Sequence, residues 1–136
     1  MLPDTPPGTI GRMAARSQRV LVGYDGSESA QKALDVAAAF VGYGSTLAVV
    51  SVSSRGEVAE LVLGDARRRL LERQLPATYV ARFGDPGEEL VDAARALGAD
   101  VVIVGARTQN GHREVGLGPV SGDVVQRAPC DVLVVR

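Results

Sequence analysis

Glycines at 105 and 118 bracket a polar stretch, Arg107, Thr108, Gln109, Asn110, Gly111, His112 and Arg113, which follows one apolar run and precedes an element that begins at Gly118 and Pro119. A helix starting there turns unpaired backbone N–H groups and the positive end of its dipole toward the loop, and anions gather at such ends. Phosphate is the chemistry this spacing suits. Pro119 at the first helical position keeps the helix start intact but removes one N–H. The N–H groups of Val120 and Ser121 and the Ser121 hydroxyl are the remaining donors, and Arg107, His112 and Arg113 are the charges at hand. A second stretch, YDGSESA at 24–30, places Asp25 just after another apolar run, with Gly26 for a tight turn and Ser27 or Ser29 to cap a following helix. Two readings of Asp25 stay open: a turn residue only, or a turn residue that also accepts a sugar hydroxyl or helps hold a hydrated divalent cation.

The elements that must position these residues are legible as alternating patterns. Five runs read as strands: 19–24, 46–53, 77–83, 100–105 and 131–136. Four are nearly continuous Val, Leu and Ile, the mark of strands covered on both faces of a parallel sheet; the third, with Tyr79, Ala81 and Arg82, is mixed and suits an edge. Between them lie four helical patterns. In 28–41 the stripe is Ala30, Ala33, Leu34, Ala37 and Val41, with Gly42 as the stop. In 57–74 it is Val58, Leu61, Val62, Ala66 and Leu70, opposed by a solvated basic face of Arg67, Arg68 and Arg73. The third opens on Asp85 as N-cap, Pro86 at the first position and Glu88 completing a capping box, then runs through Leu90, Ala93, Ala94 and Leu97 to Gly98. The last starts near Gly118 and Pro119, carries Val120, Val124 and Val125, and stops before Pro129.

Strand and helix in strict alternation imply a doubly wound α/β domain, a five-stranded parallel sheet with helices on both faces and right-handed crossovers. Ligands of such sheets sit beyond the carboxyl ends of the strands, where the winding reverses. A strand order of 3-2-1-4-5 would bring the loops after strands one and four together at that point.

Composition narrows the function classes. A chain of 136 residues, 46% of them hydrophobic, builds one domain with a core. Fifteen basic and sixteen acidic residues leave a net charge of −1, no footprint for nucleic acid or for an anionic membrane surface. No segment reaches the roughly 18 consecutive apolar residues of a membrane span. The single cysteine, Cys130, stands in no metal-ligand spacing and favours a reducing cytoplasm. The first 18 residues, with three Pro and two Gly in their first eleven, read as a disordered tail ahead of a domain at 19–136. Nothing supplies a nucleophile with an orienting base, a P-loop or a G-x-G-x-x-G turn, so an enzyme is the least favoured class.

VLVGYDGSESA, GDPGEELVDAARALGADVVIVGAR and LGPVSGDVVQRAPCDVLVV resemble, in order and spacing, successive landmarks of the universal stress protein family across residues 19–136. The resemblance implies the 3-2-1-4-5 sheet and a homodimer through the last strand, here 131–136. It also implies adenine-nucleotide binding, by ATP or by ADP, AMP or cyclic AMP, with magnesium accompanying the nucleotide near Asp25. The base would meet main-chain groups around Val52, with Val22 to Tyr24 as pocket wall. One branch binds ATP through a signature written G-x2-G-x9-G-[ST]. Gly105 and Gly118 fill the first and third glycines, Thr108 stands at the second, and Pro119 replaces the Ser or Thr. The candidate ligand-binding residues are therefore Tyr24, Asp25, Val52, Gly105, Arg107, Thr108, Gly118, Pro119, Val120 and Ser121. Thr108 and Pro119 leave two readings: a regulatory module that binds an adenine nucleotide with less reliance on the outer phosphates, or a nucleotide-free dimeric scaffold of the same fold.

Overall fold

The structure, a computed structural model, describes residues 18–41, 44–54, 56–106 and 118–136. Strands β1 (Arg19–Gly23), β2 (Thr46–Ser53), β3 (Thr78–Phe83), β4 (Val101–Gly105) and β5 (Asp131–Val135) alternate with helices α1 (Glu28–Val41), α2 (Gly56–Glu72), α3 (Pro86–Leu97) and α4 (Pro119–Arg127). All strand pairs are parallel and the order is β3-β2-β1-β4-β5, so the winding reverses between β1 and β4.

Alternate side chains of the strands feed two cores. Val20, Val22, Val49, Val101 and Ile103 pack under α1 and α2, while Leu21, Val50, Val102 and Val104 pack under α3 and α4. Burial on both faces explains why β1 and β4 are runs of Val, Leu and Ile. β5 departs from the expectation of full cover: Val132 to Val135 are only half-buried, because the strand lies at an edge and the nine-residue α4 covers little of it. β3 is the other edge, as its mixed composition suggested.

The buried face of α2 is rotated relative to the expected stripe. Ala59, Leu63, Ala66 and Leu70 face the sheet, whereas Val58 is 44% and Leu61 77% exposed. The spacing 59, 63, 66, 70 is the helical one; it shares Ala66 and Leu70 with the expected stripe but has Ala59 and Leu63 in place of Val58 and Leu61. Its basic face is paired rather than simply solvated. Arg67 lies over the Tyr79 ring, 4.6 Å from its centre. Arg68 and Arg69 bond Asp65, and Arg73 meets Asp35 of α1 at 2.9 Å. The helix also ends at Glu72 rather than 74, where Gln74 takes a left-handed φ of 56°.

Both ends of α3 follow the sequence signals. The Asp85 carboxylate accepts the Glu88 N–H at 3.0 Å, and Gly98 closes the helix with φ 63°. That fixes Pro86 and Leu90 beside the carboxyl ends of the central strands.

Candidate functional site

At the switch point the strand ends and the following turns enclose a cavity of about 310 Å³. Its walls come from five places: Gly23 to Asp25 and Ser27 after β1, Val50 and Val52 of β2, Pro86 and Leu90 of α3, Val104 to Ala106 at the end of β4, and Gly118, Val120 and Ser121 at the start of α4. One side is thus an apolar slot and the other a rim of backbone polar groups. A concave, largely preformed site of this size and mix suits a small molecule.

The β1–α1 turn satisfies itself. Gly26 takes a φ of 82°, the Asp25 carboxylate accepts the Ser27 N–H at 2.9 Å, and the Ser27 hydroxyl oxygen accepts the Ala30 N–H at 3.1 Å. Ser27 is therefore the α1 cap. Gly105 owes its lack of a side chain to this turn: a Cβ there would lie 2.8 Å from the Ala30 nitrogen, so β4 ends against the first turn of α1. Gly118 is crowded too, with a Cβ meeting the Ala106 carbonyl oxygen at 3.2 Å.

The start of α4 is different. Gly118 is its N-cap, no side chain caps it, Pro119 is its first residue, and the first helical bond runs from the Gly122 N–H to the Gly118 carbonyl at 2.8 Å. Among the described residues no group outside the helix bonds the N–H groups of Val120 and Ser121, and both residues line the cleft. The Ser121 hydroxyl, expected as a third donor, instead donates to the Gly118 carbonyl at 3.3 Å, because the side chain is 2% exposed and must find a partner inside the protein. Pro119 itself is exposed and contributes to the helix start, not to the wall.

Val52 presents a second polar edge. The Tyr24 N–H donates to the Val50 carbonyl at 2.9 Å, the last contact between β1 and β2, and the backbone groups of Val52 lie on the same side of the strand. With β1 ended, the Val52 N–H and C=O face the cleft as an adjacent donor and acceptor.

Tyr24 lines the cleft but directs its hydroxyl away from it, into a hydrogen bond to the Asp65 carboxylate of α2. Burial, then the bond to Asp65, holds the hydroxyl well above the usual tyrosine range. The same bond, with Arg69 and Arg68 behind it, holds Asp65 below the usual carboxylate range. Arg69 Nε stands 3.0 Å from Asp65 Oδ2.

Seven of the ten sequence-selected residues therefore converge on one cleft: Tyr24, Asp25, Val52, Gly105, Gly118, Val120 and Ser121. Arg107 and Thr108 lie outside the described residues, as do His112 and Arg113. Asp25 is the one charged group among the described lining residues. No three His, Cys, Asp or Glu side chains among the described residues gather where they could hold a metal ion. Sequence reasoning missed Pro86 and Leu90, since it looked only at loops following two strands; the capped start of α3, aimed at the same end of the sheet, was the available signal. Asp65 had no signal, because only the fold brings it to Tyr24.

The universal stress protein family matches residues 16–136. The universal stress protein YxiE of Bacillus subtilis is 30% identical over 87% of this chain and 98% of its own length. Among solved structures, a universal stress protein in complex with cAMP is 25% identical, covers 89% of this chain and 98% of its own, and superposes with a TM-score of 0.75. The universal stress protein from Archaeoglobus fulgidus in complex with dAMP is 21% identical, covers 88% and 98%, and gives 0.73.

Proposed function

The chain belongs to the universal stress protein family, and from that premise we propose that its switch-point cleft binds an adenine nucleotide as a non-catalytic regulatory module. One observation carries the reading: Val52, two residues past the last β1–β2 bond, and the uncapped start of α4 line the same cavity. The apolar slot of Val50, Val52, Pro86 and Leu90 takes the base, and the Val52 N–H and C=O read its edge. Asp25, whose Oδ1 is held by the Ser27 N–H, offers its other oxygen to a ribose hydroxyl. The N–H groups of Val120 and Ser121 hold a phosphate at the positive end of the helix dipole.

Two backbone donors suit one phosphate better than three. Pro119 has removed a third N–H and the Ser121 hydroxyl is turned away, each a contact to a charged oxygen that would contribute roughly 1.5–3 kcal/mol. AMP, cyclic AMP and other one-phosphate ligands therefore lose less than ATP does, in keeping with the cAMP and dAMP held by the two solved relatives. Where ATP binds, magnesium comes with it, near Asp25. The half-buried strand β5 pairs with its copy in a homodimer. A reducing cytoplasm suits the lone, half-buried thiol of Cys130.

The double variant Thr108→Gly, Pro119→Ser restores the ATP signature. Calorimetric titration is expected to show ATP affinity rising about tenfold or more, one to two contacts' worth, with AMP affinity little changed. No gain for ATP, with AMP still bound, would overturn the assignment of the α4 start as the phosphate site.

A further inference from the structure

Asp65 lies on α2, outside the cleft, yet it is the partner of Tyr24, the one aromatic side chain among the described residues of the cleft wall. The Tyr24 side chain is 2% exposed, so its hydroxyl must be satisfied within the protein, and Asp65 does this with one carboxylate that Arg68 and Arg69 also hold. The backbone on either side of that ring is the site itself. The Tyr24 N–H makes the last bond between β1 and β2, beyond which the Val52 edge opens, and the next residue is Asp25.

Resting on the nucleotide reading above, we propose that Asp65 is a positioning residue for the cleft, acting through Tyr24 to fix the gap between the Val52 edge and the Asp25 turn. The surroundings of the ring offer no second acceptor for its proton: Ala30, Ala33 and Val22 pack on the same side of the sheet, and the neighbouring Arg69 can only donate. If the Asp65 carboxylate is lost, the hydroxyl proton either stays without an acceptor or turns toward the backbone polar groups of the cleft, and the ring moves with it. Arg68 and Arg69, 67% and 40% exposed, extend the chain of contacts to the outer surface of α2, so that a partner binding those arginines would be felt at the nucleotide.

The test uses the full chain, Cζ-13C-labelled at its three tyrosines, with AMP as the probe and NMR as the readout; Tyr24→Phe assigns the Tyr24 signal. In the wild type AMP is expected to shift that signal. Asp65→Leu, which leaves the Tyr24 hydroxyl no acceptor at that place, should displace it before AMP is added and weaken AMP about tenfold, the equivalent of one hydrogen bond to a charged group. Asp35→Asn, which weakens the ion pair to Arg73 just beyond the end of α2 without touching Tyr24, should bind AMP as the wild type does. Tyr24→Phe should weaken AMP by a similar factor, and the double variant Tyr24→Phe, Asp65→Leu no further, because both changes break one connection. Wild-type affinity in Asp65→Leu, or additive losses in the double variant, would overturn the inference and leave the nucleotide reading standing. A wild type that ignores AMP would overturn both.

Discussion

At the scale of single residues, the site rests on atoms that are missing as much as on atoms present. A methyl at Gly105 would press on the Ala30 nitrogen and on Ser29, backbone and side chain that already close the α1 turn. Gly105→Ala should therefore destabilise the chain by about 1–3 kcal/mol, read as a lower midpoint in urea. The glycine was legible as part of a phosphate signature, but its packing role was not, since the contact spans 75 positions of sequence. The Tyr24–Asp65 pair makes a pH prediction of both signs. The folded chain holds the Tyr24 proton more tightly than the unfolded chain does, so that stabilisation is complete below about pH 10 and is lost as pH rises beyond it. Asp65 titrates below its ordinary 3.8 when folded, so its stabilisation is complete above that range and is lost as pH falls through it. Thermal midpoints measured against pH should show Tyr24→Phe flattening the alkaline limb and Asp65→Asn the acid limb; unchanged limbs would mean that the pair contributes nothing.

At the scale of elements, the order, type and approximate bounds of the nine described ones were legible, because four strands are apolar runs, the mixed third suits an edge, and each helix has a periodic stripe or a cap. α1, α3 and β2 have the bounds read from the sequence, α2 shifts at both ends by one or two residues, and the others shift by about one residue at an end. The exception is the buried face of α2: Leu61 and Leu63 carry the same side chain, and only the fold decides which of them meets the sheet. Leu61→Lys should accordingly change stability by less than about 0.5 kcal/mol, whereas Leu63→Ala should cost about 2–5 kcal/mol; a large loss for Leu61→Lys in denaturant melts would reverse the assignment of the buried face. The start of α4 illustrates the opposite limit. Gly118 and Pro119 announced a helix N-terminus, but whether Ser121 offered its hydroxyl outward or back to Gly118 depended on burial that the local sequence does not contain.

At the scale of the whole molecule, the sheet order joins residues 24–27, 50–52, 86–90, 104–106 and 118–121 into one cavity, and no one segment carries it. Two of those segments were readable from glycines and polar loops, and a third, Val52, only through family resemblance. No helix among the described residues is long and apolar enough to cross a membrane. Among the described residues the cleft is the feature with chemical content: an apolar slot, a paired donor and acceptor, and a helix start with no side-chain cap. Calorimetric titration of the wild-type chain with AMP tests this most directly. Saturable binding of one AMP per chain is the predicted result, whereas the absence of binding at millimolar AMP would contradict it and leave the fold as a nucleotide-free scaffold.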